Sequence, residues 1–177
     1  MSENTPEFRV YVSSTLEDMQ EEREAVKELI AEYAIAKNSY RASEAGSIIT
    51  CTEDVRKCHL YVGIIGHRYG WIPENIDGAN PLNKSITEFE YDACVIQGQP
   101  KIDRLIYMRT NSDDRFRDEK PEPIRNFRAK AGRVSEQQAF IYNDIGTLIL
   151  RLQADLFGKR DKFLAKNQAP PPPQKTR

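Results

Sequence analysis

The chain has 177 residues, of which 30% are charged, and its formal net charge is -1. This length is sufficient for one domain with its own hydrophobic core, and the balanced charge does not favour a nucleic-acid-binding surface. The sequence contains no run of about 18 apolar residues, so no transmembrane helix is predicted.

The cysteines and the N-terminus indicate the cellular compartment. The three cysteines, Cys51, Cys58 and Cys94, are few and odd in number, which is typical of a reduced intracellular protein. Their spacing matches no metal-binding motif, so no metal site is expected. The opening sequence MSENTPEFRVYVSS lacks the basic and apolar regions of a signal peptide. We therefore expect a cytoplasmic protein.

The chain begins with a predicted strand and helix. FRVYVSS, residues 8–14, is rich in β-branched and aromatic residues, which favours a strand. Apolar residues recur at helical spacing through residues 15–34, starting with Leu16. Thr15 and Asp18 resemble a capping box at the start of this helix. A weak strand around 38–41 and a short helix over 48–58 follow.

The rest of the chain continues to alternate between strands and helices. LYVGIIG, residues 60–66, is almost entirely apolar and predicts a strand buried on both faces. Residues 67–84 form a long loop rich in glycine, proline and asparagine. The remaining predicted elements are a helix from Ser85 that ends at Gly98, a strand over 104–110, a short helix near 122–131, a strand over 138–143 and a helix over 145–165.

This alternation predicts the fold class. Strands that alternate with helices form a parallel sheet with helices on both faces. We therefore predict an α/β, flavodoxin-like fold with about five strands over residues 1–166. Residues 167–177 contain four consecutive prolines, which favour a stiff polyproline spacer. They are interpreted either as a linker to a further domain or as a disordered terminus.

Ligands of open parallel sheets bind at the carboxyl ends of the strands, and the first candidate segment there follows the first strand. It contains Ser13, Ser14 and Thr15. Hydroxyl groups and free backbone N–H groups at the start of a helix favour phosphate or another anion. Alternatively, Ser14 or Thr15 only caps the helix.

The second candidate segment follows the buried strand over 60–66. It contains His67, Arg68, Tyr69 and Trp71. Aromatic faces can stack on a nucleobase, and an arginine can pair with a phosphate. Alternatively, the two aromatic rings pack beneath the long loop.

The third candidate segment is the helix SITEFEYDA, which carries two acidic residues. Ser85 and Glu88 form an S-x-x-E capping box, in which the Glu88 side chain can return to the Ser85 N–H. Glu90 has no such local explanation and borders the buried stripe of the helix. A sheltered carboxylate at this position has a raised pKa or reacts with an electrophile. Alternatively, Glu90 is a solvated surface charge.

Three motifs together resemble domain-of-unknown-function family 4062. They are VYVSSTLEDMQEEREAV, CHLYVGIIGHRYGW and SITEFEYDA, and they occur in this order within residues 8 to about 110. The family shows a V-[FY]-[VI]-S-S-T start, a D-x-x-x-E-R helix, a V-G-I-I-G-x-R-Y-G strand and a T-E-x-E-Y helix. His59 stands where the family usually has an acidic residue.

The resemblance implies a site residue. The family is similar to TIR domains and nucleoside 2-deoxyribosyltransferases, which share the flavodoxin-like sheet and act on N-glycosidic bonds. Their key glutamate lies on the helix after the third strand, eight residues before a glycine. Glu90 has this spacing to Gly98, so the resemblance implies that Glu90 is catalytic.

The leading hypothesis is a TIR-like effector domain that cleaves NAD or a related nucleotide. Glu90 would stabilise or trap the positive charge on ribose after nicotinamide departs. No metal or cofactor is expected, and NAD is the possible substrate. The residues expected to contact the nucleotide are Ser13 and Ser14 at ribose or phosphate, Arg68 at phosphate, and Tyr69 or Trp71 at the base. Thr15 and His67 are further expected substrate-binding residues.

The resemblance also implies the protein's context. Domains of this family commonly precede signalling or defence NTPases, and 167–177 resembles the proline-rich linker between them. Expected partners are therefore a nucleotide, a second copy on activation, and C-terminal NTPase or repeat domains, without nucleic acid or membrane.

Two other functions stay open. The first is a non-catalytic scaffold that self-associates or docks partners through the helix over 16–36 and the charged segment over 113–133. The second is a nucleotide-binding response domain with a phosphoacceptor aspartate. No strong predicted strand ends in an aspartate, which counts against the second.

Overall fold

The computed structural model describes residues 6–37, 47–95, 97–98, 101–110, 118, 121–133 and 138–168. Within them, a sheet of five strands has helices on both faces. The strands are β1 (Arg9–Ser14), β2 (Ile35–Lys37), β3 (Leu60–Ile65), β4 (Asp103–Arg109) and β5 (Phe140–Tyr142). The helices are α1 (Gln20–Tyr33), α2 (Ser47–Arg56), α3 (Ile86–Ala93), α4 (Glu122–Gly132) and α5 (Ile145–Gln168), with a short 3₁₀ turn at Ile76–Gly78.

The sheet has the order β2-β1-β3-β4-β5, and all neighbouring strands are parallel. In the centre of the sheet, Val62 of β3 lies between Val12 of β1 and Leu105 of β4. This order confirms the predicted α/β, flavodoxin-like fold. The chain leaves β1 towards β2 on one side and leaves β3 towards β4 on the other. A crevice therefore forms between the carboxyl ends of β1 and β3.

The two faces of the sheet carry separate hydrophobic cores. One core contains α1 and α5, and the other contains α2, α3 and α4. Successive side chains of a strand point to opposite faces, so Val10 and Val12 join the first core while Tyr11 joins the second. Ser13 follows Tyr11 on the same face. β1 thus presents two hydroxyl groups to the layer that contains α3.

The start of α1 differs from the sequence prediction. The helix begins at Gln20, without a side-chain cap, and Leu16 is 41% exposed instead of joining the buried stripe. The predicted capping residue Asp18 accepts the hydroxyl of Thr15 and the backbone N–H groups of His67 (3.2 Å) and Arg68 (3.3 Å). Residues 15–19 stay non-helical because Asp18 bonds to the loop after β3.

Two other boundaries differ from the prediction. α3 ends at Ala93, before Gly98, since the Ile102 N–H bonds to the Cys94 carbonyl at 3.0 Å and turns the chain towards β4. β2 lies at Ile35–Lys37, whereas the predicted strand at 38–41 is outside the described residues. Residues 169–177 of the proline-rich segment are also outside them. No helix in the described part of the chain has the length and apolarity needed to span a membrane.

α5 provides a matched test of the first core. Leu152 is fully buried, whereas Leu150 on the same helix is 71% exposed. We expect Leu152→Ala to lower the free energy of unfolding by about 2–5 kcal/mol, because it removes core contacts and leaves a cavity. Leu150→Ala should change it by less than about 0.5 kcal/mol. Chemical denaturation of both variants measures the difference, and equal effects would contradict the assignment of this face to the core.

Candidate functional site

A cavity of about 340 Å³ lies at the crevice between the carboxyl ends of β1 and β3. This is the switch point where open parallel sheets bind ligands. Its walls come from the segment after β1, the loop after β3, and the first turns of α1 and α3. The lining residues are Ser14, Thr15, Leu16, Glu17, Arg23, Arg68, Gly70, Trp71, Ile86, Thr87 and Glu90.

Glu90 lines the cavity although its residue surface is only 4% exposed. The Tyr11 hydroxyl donates to Oε1 at 2.6 Å, and the Ser13 hydroxyl donates to Oε2 at 2.5 Å. Burial raises the pKa of Glu90, while the bonds from Ser13 and Tyr11 and the charge of Arg23 oppose that rise. The two hydroxyl groups on β1 therefore hold the carboxylate in a fixed orientation.

Arg23 supplies a buried positive charge to the cavity. Its guanidinium donates to the Ser14 hydroxyl at 2.9 Å and to the Ser14 carbonyl at 3.4 Å. The sequence hypothesis did not include Arg23 or Tyr11. In the sequence, the D-x-x-x-E-R pattern indicated Arg23. Tyr11 precedes Ser13 by two residues, which indicated that both side chains lie on the same face of β1.

Arg68 and Trp71 line the cavity from the loop after β3. Arg68 forms ion pairs with Glu17 at 2.9 Å and with Asp118 at 3.7 Å. The Trp71 side chain is 43% exposed, and its backbone carbonyl accepts the Ile86 N–H at the start of α3. The loop therefore brings a cation and an aromatic ring to the same cavity as Glu90.

Three residues of the sequence hypothesis do not line the cavity: Ser13, His67 and Tyr69. Tyr69 is buried, its ring lies 6.4 Å from that of Phe127, and its hydroxyl donates to Glu88 at 2.5 Å. Tyr69 thus packs beneath the loop. His67 Nε2 is buried without a hydrogen-bond partner among the described residues, and burial and the nearby Arg128 lower the pKa of His67.

The hydroxyl residues after β1 divide between two positions. Ser14 and Thr15 line the cavity, whereas Ser13 lies beneath it and bonds to Glu90. Neither Ser14 nor Thr15 caps α1, since the N-cap position is Met19. Ser13 is therefore placed to orient the carboxylate, while Ser14 and Thr15 are placed to contact a ligand.

Glu88 forms contacts that stabilise the fold. Ser85 caps α3 by accepting the Glu88 N–H at 3.3 Å. The Glu88 carboxylate does not return to the Ser85 N–H as the capping box predicted. It accepts hydrogen bonds from the Tyr69 hydroxyl and from Lys130 of α4 at 2.7 Å. Tyr69 and Lys130 can bind the Glu88 carboxylate because the loop after β3 and α4 enclose the first turn of α3.

Glycine permits the close approach of the loop to the segment before α1. A Cβ atom at Gly66 would overlap the side chains of Asp18 and Met19. Gly70 has a φ of 88°, and a Cβ there would lie 2.9 Å from the Thr15 methyl group. The cavity thus depends on glycine at both positions of the G-x-R-Y-G motif.

The arrangement combines a buried carboxylate with two cations and an exposed aromatic ring. A carboxylate held by fixed donors can stabilise developing positive charge, and the guanidinium groups of Arg23 and Arg68 can bind phosphate. Among the described residues, no group of three or more His, Cys, Asp or Glu side chains could hold a metal ion.

Comparisons with known proteins place the chain in a family. The model of "Domain of unknown function (DUF4062)" matches residues 9–156. Mouse telomerase protein component 1 is 26% identical over 172 aligned residues, covering 76% of this chain and 6% of that protein. A TPR repeat-containing protein of Dictyostelium discoideum is 21% identical over 141 residues, covering 58% of this chain and 8% of that protein.

The chain therefore corresponds to 6% to 8% of the length of these two relatives. The family match covers most of the sequence, from the start of β1 into α5. This chain belongs to the DUF4062 family.

Proposed function

We propose that this domain is a TIR-like effector that cleaves the N-glycosidic bond of NAD or a related nucleotide, with Glu90 as the reacting carboxylate. The observation that carries the proposal is the position of Glu90. It is a buried carboxylate, bonded to two hydroxyl groups of β1, that lines an open cavity at the switch point of the sheet.

The proposed chemistry uses the ionised form of Glu90. The bond between the ribose C1′ and the nicotinamide nitrogen breaks, and its electron pair leaves with neutral nicotinamide. The carboxylate stabilises the resulting oxocarbenium-like ribose or forms a covalent bond to C1′. Water then attacks C1′, any covalent bond between C1′ and Glu90 breaks and releases the carboxylate, and the proton of the water passes to solvent. Tyr11 and Ser13 hold the carboxylate in one orientation throughout.

The cavity walls supply contacts for the rest of the nucleotide. Arg68 and Arg23 are placed to bind phosphate, and the hydroxyl groups of Ser14 and Thr15 are placed to bind ribose or phosphate. Trp71 is the proposed wall for the base, because it lines the cavity while Tyr69 is buried elsewhere. This assignment replaces the choice between Tyr69 and Trp71 that the sequence left open.

We further propose that the domain acts as part of a larger, self-associating cytoplasmic protein. The relatives are far longer than this chain, and one is described as TPR repeat-containing. The cysteines Cys51, Cys58 and Cys94 are buried free thiols, which fits a reducing compartment. Signalling or immune defence is the role proposed for this assembly.

A second candidate function is a non-catalytic scaffold that self-associates. One observation favours it: the loop after β3 exposes four large apolar side chains, which are Trp71, Ile72, Ile76 and Leu82. Leu82 is 73% exposed. Exposed apolar side chains within one loop are candidates for a surface that contacts another protein.

Substitution of Glu90 tests the catalytic proposal. We expect Glu90→Gln to reduce nicotinamide release from NAD by roughly 100-fold or more, because the amide cannot stabilise positive charge. The measurement is nicotinamide release by the domain fused to an oligomerising partner. Glu88→Gln is the matched control and should keep most of its activity, since Glu88 does not line the cavity and the glutamine oxygen can still accept the Tyr69 hydroxyl.

Stability distinguishes loss of chemistry from loss of folding. Because burial raises the pKa of Glu90, the folded state binds more protons than the unfolded state between the ordinary value of 4.5 and the raised pKa, and stability is lost as pH rises through this window. Ionised Glu90 therefore opposes folding at neutral pH, and Glu90→Gln should be at least as stable as the parent. Unchanged turnover in Glu90→Gln, or no release by the assembled wild-type domain, would refute the proposal.

The pH dependence of the reaction tests the role of Tyr11. Activity should fall as pH decreases through the raised pKa of Glu90, since only the ionised carboxylate stabilises the ribose cation. Tyr11→Phe removes a hydrogen bond that lowers this pKa. In the pH profile of kcat/KM, the fall in activity at low pH should therefore occur at a higher pH in Tyr11→Phe than in the parent. A fall at the same pH or at a lower pH would contradict this role.

Leu82→Glu tests the scaffold function. If the apolar loop mediates self-association, the charged side chain should lower the sedimentation-derived association constant by about tenfold or more, because it would place an unpaired charge in an apolar contact. Leu150→Glu is the control, since Leu150 is similarly exposed but lies on α5 and not in this loop. Equal association of both variants and the parent would exclude the loop as the contact surface.

A further inference from the structure

A second cavity, of about 610 Å³, lies at the opposite edge of the sheet. Its lining includes Phe8, which precedes β1, and the first residues of β3 and β4, Leu60 and Asp103. The C-terminal half of α5 closes it from the side. The cavity is thus separated from Glu90 by the length of the strands.

The lining of this second cavity is strongly basic. It contains the five cations Arg56, Lys101, Lys159, Lys162 and Lys166, against the single carboxylate of Asp103. Lys159 pairs with Asp103 at 2.9 Å. Lys101, Lys162 and Lys166 are exposed and have no ion pair within the described part of the chain. Because the net charge of the chain is -1, this concentration of positive charge is local.

The three lysines of α5 lie on one face of the helix. Residues 159, 162 and 166 are three and four positions apart, which places them on neighbouring turns of the same surface. Lys101 approaches from the segment before β4. Cations therefore reach the cavity from two sides, and a multiply charged anion between them would contact both groups.

The floor of the second cavity is apolar and aromatic. Phe8, Leu60, Ile102 and Phe163 contribute apolar surface. The His59 ring lies 4.5 Å from the ring of Phe163 and is stacked on Phe8 at 6.2 Å. A flat ring of a ligand could lie on this surface while charged groups face the lysines.

His59 adds a neutral donor to the lining. Its Nδ1 accepts the Arg9 backbone N–H at 3.0 Å, so the remaining proton of the neutral ring is on Nε2. Burial and the charge of Arg9 lower the pKa of His59, which favours this neutral form. The neutral His59 ring therefore adds a hydrogen-bond donor to a cavity lined by cations.

We propose that this second cavity binds a small molecule carrying two or more phosphate groups, with Lys101, Lys162 and Lys166 as the phosphate contacts. Lysine ammonium groups bind phosphate as point charges. The volume falls in the range of small-molecule sites. A small molecule is favoured over a nucleic acid because Lys101 and the lysines of α5 line one concave site, while the chain as a whole has a net charge of -1.

Titration calorimetry with inorganic tripolyphosphate and with ATP tests this proposal. At about 50 mM salt, where screening is weak, we expect saturable binding of tripolyphosphate to the wild-type chain. Lys162→Glu combined with Lys166→Glu should weaken it by about tenfold or more, since two attractive charges become repulsive. In Arg68→Ala, where the Glu90 cavity lacks a phosphate contact, tighter binding of ATP than of tripolyphosphate that is lost with Lys162→Glu and Lys166→Glu would place the base on the apolar floor. Equal binding would assign the affinity to phosphates alone.

Control variants test whether the effect on binding is specific to the cations of this cavity. Arg125→Glu combined with Arg133→Glu makes the same charge change on exposed positions of α4 and its end, and should leave the affinity within about twofold, since those charges lie outside the cavity. Arg68→Ala removes a proposed phosphate contact of the Glu90 cavity, so the tripolyphosphate binding that Lys162→Glu with Lys166→Glu weakens should persist in this variant. Thermal unfolding verifies that each variant is folded.

His59→Asp gives an independent test. The aspartate can still accept the Arg9 N–H but adds a negative charge to the cavity, so tripolyphosphate should bind several-fold more weakly. The proposal is overturned if tripolyphosphate shows no saturable binding, or if Lys162→Glu with Lys166→Glu has no more effect than the α4 control. Binding lost only in Arg68→Ala would overturn it as well, as would binding of an RNA oligonucleotide without binding of tripolyphosphate.

Discussion

The hydrogen bonds between β1 and Glu90 connect the sheet to the candidate site. A buried carboxylate loses its hydration, and that loss is tolerable only when donors replace the water. Tyr11 and Ser13 provide two such donors from successive positions on one face of β1. The helix that carries Glu90 is therefore held against the sheet at the point where the crevice opens.

Other acidic side chains hold the walls around this point. Asp18 accepts two backbone N–H groups of the loop after β3, and Glu88 joins Tyr69 of that loop to Lys130 of α4. These bonds determine the path of the segments that carry Arg68 and Trp71 to the cavity. The motifs of the family consequently encode both the proposed chemistry and the scaffold that positions it.

The two edges of the sheet have opposite chemical characters. The carboxyl edge combines a buried carboxylate with paired cations, which suits the proposed reaction at a ribose carbon. The amino edge gathers lysines around an apolar floor and has no comparable buried carboxylate among its lining residues, which suits anion binding. The strands between them form one continuous parallel sheet, so both cavities are framed by the same rigid element.

The sequence by itself determined the order and type of most elements, because hydrophobic periodicity and strand composition are local properties. It also separated Glu90 from Glu88, since Glu88 lies in an S-x-x-E pattern and Glu90 has the family spacing to Gly98. Tertiary structure decided which partners these side chains have. Asp18 and Glu88 were expected to cap helices, but the loop after β3 and α4 offered them other donors. Tyr11 and Arg23 belong to the site and Tyr69 does not, because such contacts depend on distances between elements far apart in the chain.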